Sequence, residues 1–224
     1  LLVLVDVLHE CGLHLRAWVN AAPRPGLKAL IETAGLSDAA LTAGNIGFQL
    51  APRLNAGGRI GSAKRSYDLL AATDPAEAAT IAAELEEENR TRRDVEEQIQ
   101  LEAEAQLESF DFPAHRALVL AGKDWNPGVI GLTASRLVEK YHYPTILLSE
   151  RDGVLTGSCR SIPGVDIHAA LTAVKHLLVK YGGHRQAAGL TLTADHLDDF
   201  RAELDAWLFQ NIPSAAYVPE MEYD

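Results

Sequence analysis

The rhythm of apolar and polar positions changes twice along the chain. Residues 1–46 read as short helical pieces broken by Pro23, Pro25, Gly26 and Gly35. PGLKALIETAGL predicts a short helix with Leu27, Leu30 and Ile31 on one side and Gly35 at its end. Residues 47–72 predict a loop rich in Gly, Pro and Arg, followed by a helix around SAKRSYDLLAA. Asp74, Pro75 and Glu77 then supply an N-cap, a first-turn proline and a capping-box glutamate. No Gly or Pro follows until Pro113, so the spacing predicts one helix of about 30 residues, ~45 Å long. Its apolar positions Ile81, Leu85, Val95, Ile99 and Leu107 flank the polar stretch EEENRTRRD. Such a helix packs at its two ends and crosses solvent between them, as a bridge between two lobes; an exposed arm or coiled-coil strand is the alternative.

After Pro113 short apolar runs alternate with helical patterns. RALVLA, PTILLSE, GVLTGSCRS and AAGLTLT predict strands. GVIGLTASRLVEKY, DIHAALTAVKHLLVKYGG and ADHLDDFRAELDAWLF predict helices, the second ending in its glycines. The fold class expected is α/β: a helical segment, a long connecting helix, then an α/β domain with a mixed sheet. Residues 211–224 read as a linker.

Composition narrows the class. With 47% hydrophobic residues the chain has material for a core, which excludes intrinsic disorder. Two cysteines, Cys11 and Cys159, give no disulfide framework and point to a reducing, cytoplasmic setting. The opening LLVLVDVL carries Asp6 and is too short to span a bilayer, so no membrane association is expected. With Leu at position 1, the chain reads as a piece of a longer protein. A net charge of −11 looks wrong for a nucleic-acid binder, but residues 74–108 and 195–224 hold −9 and −7 of it. The remaining segments, 1–73 and 109–194, are mildly basic, so net charge decides nothing about a polyanionic ligand.

Three Gly-rich polar segments carry candidate chemistry. In Arg53-Leu54-Asn55-Ala56-Gly57-Gly58-Arg59, two arginines flank glycines that let a backbone come close, and Arg forks match phosphate oxygens. A helix-to-helix turn with solvated arginines explains the same residues as well. Gly157-Ser158-Cys159-Arg160-Ser161 stands at a strand end, where alternation puts Ser158 and Arg160 on one face and Cys159 on the other. Two hydroxyls and a guanidinium there can hold a phosphate, or the serines can simply satisfy turn backbone. Cys159 reads as buried packing. Gly182-Gly183-His184-Arg185 predicts a helix-ending glycine, with His184 near the turn, where a lone histidine is more often structural than catalytic. Trp125-Asn126-Pro127-Gly128-Val129-Ile130-Gly131 stands just before a helix and puts backbone amides at its N-terminus, where they could face an anion; an ordinary strand-to-helix loop with Trp125 as packing is the alternative. His196, beside Asp195, reads as part of a helix cap. No HExxH, paired CxxC, Walker A, Asp-x-Asp or Asp-His-His pattern occurs. Asp6, at the end of an apolar run, is the one carboxylate plausibly placed for a metal.

Four ordered motifs, APRLNAGGRIGSA, DWNPGVIGLTASRL, GSCRSIPGVDIHAAL and YGGHRQAAGL, resemble the RecJ family of single-strand-specific exonucleases, in the DHH/DHHA1 phosphoesterase superfamily. The resemblance spans roughly residues 23–210. It implies that residues 1–73 are the tail of a DHH lobe, 74–110 the connecting helix and 111–210 a DHHA1 domain, with 211–224 leading to a further domain. It implies a 5′→3′ exonuclease in DNA repair and recombination, dependent on manganese or magnesium in the intact protein. No metal is expected tightly bound to this chain. Single-stranded DNA is the implied ligand, with a single-strand-binding protein and a helicase as companions. Ser158, Arg160 and Ser161 match the motif that captures a 5′ phosphate, His184 contributes to the same cleft, and Arg53, Asn55 and Arg59 match a loop facing the nucleic acid. Leu4-Val5-Asp6-Val7 resembles the last metal-ligand segment, which makes Asp6 the implied metal ligand. Asn126 stands where similar proteins usually carry His. The chain alone is expected to bind DNA weakly and to hydrolyse nothing. A DHH phosphodiesterase for short oligoribonucleotides or cyclic dinucleotides, and a non-catalytic DHH-like scaffold, are the alternatives.

Overall fold

The structure is a computed structural model and describes residues 24–37 and 40–219, so Asp6 and Cys11 lie outside the described residues. The chain divides into two compact units, residues 1–94 and 95–224.

In the first unit, α1 (Pro25–Thr33) begins with Pro25 at its first position and buries Ala29, Leu30 and Ile31. A side chain at Gly26 would meet the Leu69 carbonyl oxygen at 1.7 Å, so glycine here lets two helices touch backbone to backbone. The segment expected as a Gly/Pro/Arg loop is instead helical. A capping box between Thr42 and Asn45 opens α2 (Ala43–Asn45). The helix widens into a π turn over Ile46–Leu50 and continues as α3 (Ala51–Ile60). The wide turn, with Ala51 N–H bonded to Ile46 O, absorbs Pro52, whose ring and missing N–H an unbroken α-helix accommodates poorly. Gly57 serves packing rather than a turn: a Cβ there would lie 2.9 Å from Ser62 O and 3.2 Å from Glu88 Oε2. Ser62 caps α4 (Ala63–Ala71), and Asp74 accepts the amides of Ala76 and Glu77 to start α5 (Pro75–Leu107). Leu30, Leu50, Leu69, Ala78, Ala82 and Leu85 are central to this unit's core.

The polar middle of α5 does not simply cross solvent. Glu86 pairs with Arg53 at 2.5 Å, Glu88 pairs with Arg65, and Asn89 and Glu96 are buried.

The second unit holds a five-stranded sheet in the order β1-β2-β3-β5-β4: β1 (Leu118–Lys123), β2 (Thr145–Arg151), β3 (Val154–Arg160), β5 (Ala187–Thr193) and β4 (Lys180–Gly183). β1 and β2 are parallel, joined through α6 (Ile130–Tyr141), and the other pairings are antiparallel. The sheet is mixed, as expected. One face, with Val119, Ile146, Leu148, Leu155, Cys159, Leu190 and Leu192, forms the main core with α7 (Ile167–Ala173) and α8 (Leu197–Asn211). On the other face α6 packs over β2 and β3. The outer edge of β1 is closed by side chains: Arg201 donates to Val119 O and Gln106 to Ala121 O.

Two expectations change here. The helix predicted over residues 166–183 stops at Ala173, a 3-10 turn follows over Lys175–Leu177, and Lys180–Gly183 is a strand. Pairing with β5 outweighs the helical pattern of a segment that ends Val-Lys-Tyr-Gly-Gly. Residues after Asn211 do not run free as a linker over their described part. Ile212, Ala216 and Tyr217 pack on the core, and the Arg116 guanidinium lies 4.9 Å from the Tyr217 ring centroid. His196 precedes α8 as anticipated, without a side-chain capping bond.

Candidate phosphate-binding site

Alternation along β3 places Ser158 and Arg160 together on the face shared with α6, while Cys159 enters the core. Arg160 Nη1 donates to Ser158 Oγ at 3.1 Å and to its neighbour's carbonyl, Cys159 O, at 2.8 Å, which orients the guanidinium. The first turn of α6 meets this pair. A side-chain carbon at Gly131 would stand 2.8 Å from Arg160 Nη2 and 2.9 Å from Ser158 Oγ. A hydroxyl, a guanidinium and a helix N-terminus thus converge, and each favours an anion. The preceding loop is held firmly. Asn126 Oδ1 accepts Gly128 N–H, and the buried Trp125 donates to Glu102 of α5 at 2.7 Å. Trp125 is packing with a polar anchor, and its ring covers Gly122, where a Cβ would fall 2.0 Å from it. The Trp125 bond holds the Glu102 carboxyl below its usual value.

Ser161 sits apart from this pair in role. It is buried, its N–H bonds Gln186 O, and its hydroxyl donates to Val165 O, closing the turn at Pro163-Gly164. Cys159 is fully buried, and burial pushes its thiol up to about 12, so it is packing as expected. His184 lies two strands from Arg160, roughly 10 Å at the backbone, because Arg160 pairs with Ala187 and His184 N–H bonds Ala187 O. It lines an open hollow of about 500 Å³ with Asp166, His168, Gly183, Arg185 and Gln186. In that turn the demand for glycine falls on Gly183, with φ +143° and a Cβ position 2.5 Å from Ala187 O.

Arg53, Asn55 and Arg59 belong to the first unit and do not share one face of α3. Asn55 and Arg59 are one turn apart, whereas the Arg53 guanidinium is held by Glu86 of α5 and by Gln49 O of the preceding π turn. The sequence shows Gly131 at the end of the segment before α6, but not why it is glycine, because the side chains it must admit, Ser158 and Arg160, stand far along the chain.

The resemblance drawn from the sequence motifs implies manganese or magnesium in the intact protein. The described residues do not fit such an ion: no group of three or more His, Cys, Asp or Glu among them could hold one.

Residues 114–210, which hold the mixed sheet and the Ser158–Arg160 strand end, match the DHHA1 domain. Over most of its length the chain is similar to the RecJ single-stranded-DNA-specific exonucleases. It is 37% identical over 203 residues to the single-stranded-DNA-specific exonuclease RecJ of Bacillus subtilis (strain 168), covering 90% of this chain and 26% of that protein. Identity to the Escherichia coli protein of the same name is 38%, covering 80% and 32%. RecJ of Thermus thermophilus in complex with Mg²⁺ superposes with a TM-score of 0.77 at 32% identity, covering 87% of this chain and 30% of that one. A structure of exonuclease RecJ bound to manganese gives 0.75 at 32% identity, covering 87% and 48%. The chain spans about a quarter to a third of the curated relatives it matches.

Proposed function

We propose that this chain is the substrate-binding part of a metal-dependent 5′→3′ single-stranded-DNA exonuclease acting in DNA repair and recombination. The observation that carries the reading is the meeting of Ser158 Oγ and Arg160 Nη2 at Gly131. Arg160 presents a planar fork, Ser158 a hydroxyl and α6 its positive end, a set suited to a terminal phosphate dianion. Ser161 acts one layer back by holding the turn that follows β3. His184 borders the path of the strand from the neighbouring hollow, and Asn55 and Arg59 serve the nucleic acid from the first unit. Arg53 supports them from its ion pair with Glu86. In the intact protein the bond-breaking metals are magnesium or manganese, Asp6 is among their ligands, and single-strand-binding and helicase proteins supply the strand in the cytoplasm. Among the described residues no helix is long and apolar enough to cross a membrane.

The test is fluorescence anisotropy of the 224-residue chain with short single strands with and without a 5′ phosphate. Wild type binds the phosphorylated strand about tenfold or more tightly, and Arg160→Ala removes the preference, the loss expected for a charge-assisted fork. Equal binding of both strands by wild type overturns the assignment.

A further inference from the structure

We propose that Glu102 is a positioning residue for the terminal-phosphate site, acting through Trp125 on the first turn of α6. The proposal rests on the reading of Ser158 and Arg160 above. The second half of α5 presents two rows of side chains at i, i+4 spacing. Glu96, Gln100 and Glu104 reach Arg136 and Lys140 on α6. Glu102 and Gln106, with Gln98 one turn before them, form the other row. It meets the chain ahead of α6: Gln106 donates to Ala121 O of β1, and Glu102 accepts the Trp125 indole N–H. One helix thus holds the segment from β1 to α6 at its start, middle and end. The middle contact is the nearest in sequence to Gly131.

Local structure explains how that contact reaches the site. α6 starts without a side-chain cap of its own, since Val129 at its N-cap makes no such bond. Asn126 holds the entry instead. Its side chain accepts Gly128 N–H at 2.8 Å, and its carbonyl accepts the amides of Val129 and Ile130 at 2.9 and 3.1 Å. Trp125 immediately precedes it, so the seat of the indole sets where this turn stands. The indole is buried over Gly122, where a Cβ would lie 2.4 Å from Nε1, and its N–H meets Glu102 Oε2 at 2.7 Å. Gln98 donates to the other carboxylate oxygen at 2.7 Å and braces the acceptor in turn. Gly131 leaves no slack: a Cβ there would stand 2.8 Å from Arg160 Nη2 and 2.9 Å from Ser158 Oγ. A small shift of the turn therefore changes the geometry in which fork, hydroxyl and helix end meet. The charge of Glu102 can only repel a phosphate, so electrostatics and positioning predict opposite results when it is removed.

The experiment measures, by fluorescence anisotropy on the 224-residue chain, the ratio of affinities for short single strands with and without a 5′ phosphate. Glu102→Leu removes the bond and the charge, and because Glu102 is exposed it leaves the core intact. Trp125→Phe removes the bond but keeps a ring and the charge. Each lowers the ratio about fivefold, the effect of one hydrogen bond. Together they lower it by no more than about a further twofold, because both act through the same contact. Glu102→Gln removes the charge but keeps an acceptor for the indole, with the Gln98 amide reversed to match, and holds the ratio within about twofold of wild type. Lys140→Leu, which cuts another tie between α5 and α6, lowers the melting midpoint and leaves the ratio unchanged. If Glu102→Leu binds the phosphorylated strand as tightly as wild type or more tightly, the proposal is overturned, since loss of a repelling charge alone gives that result. An equal fall in the ratio with Lys140→Leu also overturns it, because the domain would then simply be loosened. In either case a preference lost in Arg160→Ala leaves the terminus reading standing. Wild type without a 5′-phosphate preference overturns both.

Discussion

Gly131 shows how much a single missing side chain can decide. Alanine is the better helix former by ~1 kcal/mol, so on propensity alone Gly131→Ala should leave the domain as stable or slightly more so. Its methyl, however, would enter the space between Arg160 Nη2 and Ser158 Oγ, at 2.8 and 2.9 Å. The expected outcome is an unchanged or raised melting temperature, with at least about tenfold weaker binding of a 5′-phosphorylated strand, because the fork and hydroxyl must turn away. Unchanged affinity would show that the ligand does not use this junction. Ser158, Arg160 and the fate of Cys159 could be read directly from the sequence, since strand alternation assigns their faces. Gly131 could not, because its requirement comes from two side chains on an element far along the chain. Ser161 was legible as a hydroxyl near a strand end but not as the closure of a turn, which depends on where Val165 O comes to lie.

At the scale of elements, the long helix was readable from its cap and its freedom from Gly and Pro, and the strands from their apolar, β-branched runs. The failures have a common physical source. α3 reads as a loop because glycines favour turns, whereas here they admit close neighbours; β4 reads as helical because its pairing with β5 is not encoded in its own residues. The second half of α5 is fixed by a polar ladder. Glu96 and Glu104 meet Arg136 and Lys140 of α6 at 2.8 Å each, and Gln100 accepts from Arg136 between them. Glu96 is only 2% exposed, so Arg136→Leu withdraws one partner from a buried carboxylate and should cost on the order of 1–3 kcal/mol, seen in chemical denaturation. Lys140→Leu should cost less, because its partner carboxylate, Glu104, is 26% exposed and stays in reach of water. The Lys140 bond holds the Glu104 carboxyl below its ordinary value. The pair therefore adds stability above that ordinary value and loses it as pH falls through the lowered one. The difference in melting temperature between wild type and Lys140→Leu should be present at neutral pH and close in acid. A larger loss from Lys140→Leu than from Arg136→Leu would contradict this ordering.

At the scale of the whole molecule, the two units keep their cores separate. The first is built from residues between Ala29 and Leu85, the second from residues between Ala117 and Leu208. Acidic side chains are concentrated along the sequence on α5 and after residue 194, whereas β3, β4 and β5 carry none. A chain this acidic can therefore hold a polyanion locally while repelling it elsewhere, which confines binding to one strand in one register. A polypeptide of residues 95–224 contains the entire sheet, α6 with Gly131, and the ladder residues of α5. It should fold with a single cooperative transition of its own. It should also bind a 5′-phosphorylated strand within about twofold of the 224-residue chain, since each group assigned to the terminus lies within it. Arg53, Asn55 and Arg59 are then expected to matter only for longer strands, because they belong to the other unit. The measurement is anisotropy on both polypeptides with strands of increasing length. Cooperative folding with terminus binding lost would move the capture of the phosphate to residues before Val95, and would make Arg160 a supporting group rather than the one that holds it.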